Sequence, residues 1–367
     1  MSTARRVWQV AWKLAVCLLL LVWVAHGIFL GEGKLAYQRS GGDWSKLSRG
    51  QQWEKGWTHG PAELANTIRQ LRPAEGLASL VFMGATIFLG MLRWRMVLKV
   101  QNIHLSVGRA TEISLVAQFF NSFLLGSTGG DLLKAYYAAR ETHHLKAEAV
   151  VTVLVDRLIG LLSMLVFAAI MMIPNAGLLA SHRRLSVLAA FVGLMLAGAG
   201  GLTAIAFWGG LSKRWPAARG WLRRLPKAEA LERSLGACRK FGEDKRFLAN
   251  TFGLSMVLNL FCVLQIWVLA GGLGLSIRPV TLLVIVPIII CIAALPITPS
   301  GLGVRENLYV WMLAVPEIDV GATQALSLSL LAYGGFLIWS LVGGVVYVMF
   351  RERHHLDEMI LPGPEAR

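Results

Sequence analysis

The sequence predicts an all-α polytopic membrane protein, with about six full spans plus two re-entrant helical hairpins related as an inverted repeat. Three observations predict it: apolar runs of span length that recur along the chain, basic residues gathered into particular segments, and two apolar stretches that each end in helix breakers. Of 367 residues, 55% are hydrophobic and only 16% charged, with a mean hydropathy of +0.58. A soluble domain carries about 25% charged residues. The formal net charge of +15 points first to basic cytoplasmic loops facing anionic lipid headgroups, and only second to a nucleic-acid surface.

The spans follow from length. About 20 apolar residues cross a bilayer, and the segments 8–30, 77–98, 148–173, 185–208, 248–270 and 322–350 qualify. The first follows Arg5 and Arg6 but is longer than a signal-peptide core, so a retained span is expected. The four cysteines (Cys17, Cys238, Cys262 and Cys291) form no spaced pair. They read as small core residues, neither a disulfide framework nor a metal site.

Charge orients the chain. Segment 209–247 carries eleven Lys/Arg against four acids and is expected to be a cytoplasmic loop of amphipathic helices on anionic lipid. Arg5-Arg6, the stretch around Arg93, Arg95 and Lys99, and the tail 351–367 belong on the same side. Segment 31–76, with seven basic and five acidic residues and Trp44, Trp53 and Trp57, reads as an extracytoplasmic amphipathic insertion. The expected organisation is a first transmembrane helix (1–30), that insertion, a first half (77–208), the basic loop, a second half (248–350) and the tail.

The two remaining apolar stretches, 110–127 and 280–298, run into Gly126-Ser127-Thr128-Gly129-Gly130-Asp131 and Pro296-Ile297-Thr298-Pro299-Ser300-Gly301-Leu302-Gly303. The orientation set by charge is consistent only if each returns to the side it came from, one from inside and one from outside. The blocks also align at an offset of about 170 residues, with Thr111 on Thr281, Thr128 on Thr298 and Gly129-Gly130 on Pro299-Ser300. Matching interruptions in two halves mark a transporter's binding site. Irregular backbone survives in a bilayer only where protein or a wet cavity satisfies it, and helix ends there offer N–H groups to an anion. The alternative is a pair of ordinary kinked spans whose Gly and Pro serve close packing.

Several charged or polar residues fall at or near these interruptions. Arg93 and Arg95 flank Trp94 at the inner end of a span. The commoner role is an interfacial anchor; the functional one is guanidinium recognition of phosphate. Asn121 lies inside the first broken segment, and Asp131 and Lys134 follow its glycines. Asp131 could serve as a helix cap. Asp156 and Arg157 lie nearly a full turn inside a span, where ionisable groups are costly and face a partner or a polar cavity. They form either a structural ion pair or part of a substrate path. Arg305 and Glu306 follow the second break, where the candidate partners are each other, Asp131 or Lys134, or a headgroup. Pro299, Ser300, Gly301 and Gly303 complete the set.

Enzyme machinery is not apparent. No G-x-S-x-G, H-E-x-x-H or P-loop occurs, and His143-His144 and His354-His355 cannot share a helix face as metal ligands. No cofactor and no catalytic residue are expected.

Leu-Arg-Trp-Arg at 92–95, Gly-Gly-Asp with a following lysine at 129–134, Asp156-Arg157, and Pro-x-x-Pro-Ser-Gly-Leu-Gly-Val-Arg-Glu at 296–306 together resemble the lysylphosphatidylglycerol synthase transmembrane-region, or flippase-like, family from about residue 77 onward. The resemblance implies lipid translocation, while the orientation set by charge is expected to put both termini on the cytoplasmic side of a bacterial inner membrane. Fused members add an aminoacyl-transfer domain and others accompany a glycosyltransferase; this chain has neither. Ser300 stands where Gly is frequent and Asp156 where Glu is common. The reading is thus a lipid flippase-like transporter of an anionic or phosphate-linked lipid. Its alternatives are a membrane enzyme or enzyme subunit acting on a lipid-linked substrate, and a scaffold for a separate lipid synthase or transferase. The expected partners are membrane lipids with anionic headgroups, with such a synthase or a second copy of the chain also candidates, and no nucleic acid.

Overall fold

The computed structural model describes residues 26–27, 29–31, 33–34, 36–123, 129–142, 146–207, 240–295, 301 and 304–349. Most of segment 8–30, most of the basic loop, the breakers 124–128 and 296–300, Gly303 and the tail lie outside the described residues. The described residues form helices and no strands. In chain order these are α1 (Arg49–Gln70), α2 (Pro73–Val100), α3 (Val107–Phe123), α4 (Gly129–Arg140), α5 (Lys146–Met172), α6 (Ala176–Ser181), α7 (Arg183–Phe207), α8 (Lys245–Gly272), α9 (Pro279–Ala293), α10 (Val304–Leu313) and α11 (Ala322–Met349). Five of them (α2, α5, α7, α8 and α11) are long and apolar enough to cross a membrane, and they coincide with five of the six expected spans.

Two halves are built alike. Helices α2 and α8 both have 28 residues, about 42 Å of helix each. Both end through a left-handed residue, Asn102 at φ 59° and Gly274 at φ 75°. In each cap the next N–H reaches back five residues, Ile103 to the carbonyl of Leu98 and Leu275 to that of Ala270. This is the Schellman arrangement, which satisfies carbonyls that the helix end leaves open. After each cap comes a shorter apolar helix, α3 or α9, the latter opened by Pro279, where proline's missing N–H costs nothing.

Packing repeats the match. The contact of α2 with α3 has its counterpart in α8 with α9, α3–α4 in α9–α10, α4–α5 in α10–α11, and α3–α11 in α9–α5. The most extensive contact, α2 with α8, pairs the two equivalent helices. They run antiparallel. The Arg72 N–H before α2 donates to the carbonyl of Gly272 at the end of α8, while Val97 near the end of α2 clusters with Phe241 and Phe247 at the start of α8. Asp244 caps that start, accepting from the Phe247 N–H at 2.9 Å.

Both short-helix pairs fold back on themselves. Arg109 at the start of α3 bridges Glu141 just past α4 at 2.6 Å, so that pair has both ends together, beside the end of α2. At the other end of the bundle, Asn175 donates to the carbonyl of Val280 at the start of α9 at 3.1 Å. His182 meets Glu317, which follows α10, at 2.5 Å. The two pairs therefore open at opposite ends of the bundle. With 12 and 10 residues, α4 and α10 reach about 18 and 15 Å, well short of a hydrocarbon core of about 30 Å.

Candidate functional site

The first pair is held by glycines at close backbone crossings. A Cβ on Gly130 would collide with the carbonyl oxygen of Ala117 on α3, and one on Gly343 of α11 with that of Leu115. Helix α3 is thus clamped from two sides. Across the first crossing Asn121 accepts from the Gly130 N–H at 2.9 Å, so one of the orphan donors at the start of α4 is satisfied within the protein. Asp131 sits inside the first turn of α4, favourable to the helix dipole but not at the cap position considered from sequence.

Asp131 is instead engaged by Arg157. The guanidinium forks onto the carboxylate, Nε to Oδ2 at 2.5 Å and Nη2 to Oδ1 at 2.7 Å, a bidentate geometry that fixes both side chains. Asp156 points elsewhere. Its Oδ1 accepts from Arg93 Nε at 2.8 Å and its Oδ2 lies 3.5 Å from Lys134 Nζ. The adjacent Asp156 and Arg157 do not form their own ion pair, because consecutive helical residues point about 100° apart. Asp156 also lies deeper than the sequence reading had it, ten residues past the start of α5.

Arg93 does not stay at the helix end as an anchor. It turns into the bundle, donates to Ser255 Oγ of α8 at 3.2 Å, and lies against Gly160, where a Cβ would come within 2.8 Å of Nη2. Glycine at 160, one turn after Asp156, makes room for the guanidinium against the α5 backbone. Lys134 stacks over the buried Trp94 ring at 4.3 Å. Arg95 is separate from this group and donates to the carbonyl of Leu105. The cluster thus holds three cations (Arg93, Lys134 and Arg157) and two carboxylates (Asp131 and Asp156).

These five residues line a cavity of about 410 Å³. A second, of about 280 Å³, is lined by Gly301, Arg305, Tyr309 and Tyr333. Arg305 pairs with its neighbour Glu306 at 2.5 Å, donates to Ser329 Oγ at 3.3 Å, and lies over the Tyr333 ring at 4.4 Å. Neither Asp131 nor Lys134 is among its partners. Met83, Asn121, Gln265, Ile290 and Phe336 line both cavities, which therefore adjoin.

The structure therefore gathers Arg93, Asn121, Asp131, Lys134, Asp156 and Arg157 around one cavity, and Gly301 and Arg305 around its neighbour, with Glu306 beside Arg305. Gly129 and Gly130 are buried at the start of α4. Pro299, Ser300 and Gly303 lie outside the described residues. Gly160, Ser255, Gln118 and Gln265 are lining or supporting residues that sequence reasoning missed. Gln265, in the run Val263-Leu264-Gln265-Ile266-Trp267, carried a readable signal: a polar amide inside an apolar span.

The helices and the buried charge cluster define a multi-pass membrane protein. The chain belongs to the family described as the lysylphosphatidylglycerol synthase TM region, whose model matches residues 56–352. Among curated proteins no sequence matches the chain significantly.

Proposed function

We propose that this protein moves an anionic or phosphate-linked lipid between the leaflets of a bacterial inner membrane. In this reading α3–α4 and α9–α10 are re-entrant hairpins, entering from the cytoplasm and from outside respectively, and related as an inverted repeat. The headgroup occupies the charged cavity while its acyl chains stay in lipid.

The observation that carries the reading is the cluster of Arg93, Lys134 and Arg157 with two carboxylates, lining a cavity that adjoins a second one in a bundle whose two short-helix pairs open at opposite ends. Three cations against two carboxylates leave an excess of one positive charge. A lone charge at a bilayer centre costs roughly 3 kcal/mol or more, so a charged headgroup needs groups that replace its water. Arg157 is the cation best suited to receive it, since its side chain remains 48% exposed and its fork can re-form on a phosphate. Family membership supports a role in lipid chemistry. Transport would be passive or driven by an ion gradient.

A transporter fits the cavity better than an enzyme does. The carboxylate at the centre, Asp156, is held by two cations, which opposes its use as a general base. The test is leaflet exchange in proteoliposomes. The intact protein should accelerate exchange of at least one anionic phospholipid, and Arg157→Ala with Lys134→Ala should cut the rate at least about tenfold. No acceleration for any anionic lipid by the intact protein would refute the proposal.

A further inference from the structure

The charge cluster does not balance until something negative enters it. Each carboxylate already has its own guanidinium: Arg157 forks onto Asp131, and Arg93 Nε donates to Asp156 at 2.8 Å. Lys134 is the third cation. Among the described residues its Nζ reaches one carboxylate oxygen, Asp156 Oδ2 at 3.5 Å, on a group that Arg93 already holds. Its side chain is 11% exposed and lines the cavity. The charged groups around it come from α2 (Arg93), α4 (Asp131) and α5 (Asp156 and Arg157). The described lining from α3, α8, α9 and α11 adds no charge, and its one titratable group is the Cys262 thiol on α8. A buried charge without a counter-charge of its own is costly. An arginine cannot shed that excess, because a guanidinium stays protonated in proteins. A lysine can, and buried lysines release their proton far more readily than free ones.

We propose that Lys134 is the proton carrier of this transporter, taking up a proton when an anionic headgroup enters the cavity and giving it back when the headgroup leaves. The proton comes from solution and bonds to the Nζ lone pair; no other covalent bond changes. The unloaded cavity then holds two cations and two carboxylates. The loaded one holds three cations, two carboxylates and one phosphodiester. Both are neutral, so neither state exposes a net charge to the low-dielectric core. Asp156 and the Trp94 ring, 4.3 Å from Nζ, hold the ammonium once it has formed. This coupling rests on the transport reading and gives it a driving force: a pH gradient drives net movement, and a membrane potential does not.

The test is calorimetric titration of the purified full-length protein with short-chain phosphatidylmethanol, a phosphodiester whose single negative charge is constant over the range used. Titrations are run at about pH 7, 8 and 9, each in two cationic buffers of different ionisation enthalpy, so that the buffer dependence of the heat counts the protons taken up. Within this range the uptake should approach about one proton per anion, and the affinity should fall by up to about tenfold per pH unit. Lys134→Arg, which keeps the charge but cannot release it, should bind with no uptake and with an affinity that does not change with pH. Lys134→Met should bind at least about tenfold more weakly and also take up no proton. Binding to the intact protein without uptake at any of the three pH values, or undiminished uptake in both variants, would overturn the carrier while leaving the transport reading in place. If the intact protein binds no phosphodiester, the two fail together.

Discussion

The first half of this molecule and the second share a scaffold but not its contents. Helices α2 and α8 have equal length, the same type of cap and an antiparallel contact, and the helices that follow them pack in matched pairs. Yet among the described residues the first half brings a network of five charged side chains to its cavity, and the second brings Arg305 with Glu306, the guanidinium lying over an aromatic ring. The scaffold is set by helix ends and backbone crossings, which a repeat can preserve. The chemistry is set by a few inward positions, which can diverge without disturbing it.

That contrast breaks most visibly at Asp156. Replacing it by Ala strands two buried cations, and an arginine cannot relieve its burial by losing a proton. The expected loss is about 3–5 kcal/mol, seen as a large fall in the thermal unfolding midpoint in detergent. A loss below about 1 kcal/mol would mean the cluster is solvated like a surface pair. Arg305→Ala should cost less, about 1–3 kcal/mol, because it removes one member of a pair rather than a carboxylate shared by two buried cations. Equal losses at the two sites would remove the asymmetry.

The shared scaffold is probed by Gly343→Ala. Its methyl group would meet the Leu115 carbonyl oxygen and must push α11 from α3, at a cost of about 1–3 kcal/mol. Gly253→Ala on α8, where the added carbon meets nothing within 4 Å, is the control and should be neutral or slightly stabilising.

The smallest effect concerns the end of the bundle where the second pair opens. The His182 hydrogen bond holds the Glu317 carboxyl below its ordinary value near 4.5. A depressed carboxylate contributes stability above its unfolded pKa and loses it as pH falls through the folded one. The difference in unfolding midpoint between the intact protein and His182→Ala should therefore be small at pH 5, begin to shrink as the pH drops below about 4.5, and vanish once the carboxyl is protonated in the folded state as well. A difference that persists in acid would show that His182 stabilises by packing alone.

Much of the scaffold was legible in the sequence, because spans and breaks are written in local composition. The segment 148–173 became a span of 148–172, and 248–270 lies within α8. The glycines at 129–130 begin a helix as their breaker character implies. The partners of the charges were not legible. Asp156 beside Arg157 suggests a pair in one dimension, but helical geometry sends the two apart, one to Arg93 and Lys134 and the other to Asp131. Gln265 and Gly160 were passed over for a related reason. Neither carries charge, and their meaning arises only where α8 faces α2 and where α5 faces Arg93.

The central claim, that the two short-helix pairs are re-entrant and open to opposite faces of the membrane, is tested most directly by single cysteines at Glu141 and Glu317 in a background lacking the four native ones. In intact cells an impermeant thiol reagent should label Glu317→Cys from outside, while Glu141→Cys should react only after the membrane is opened. Labelling of both positions from the same side would contradict the claim.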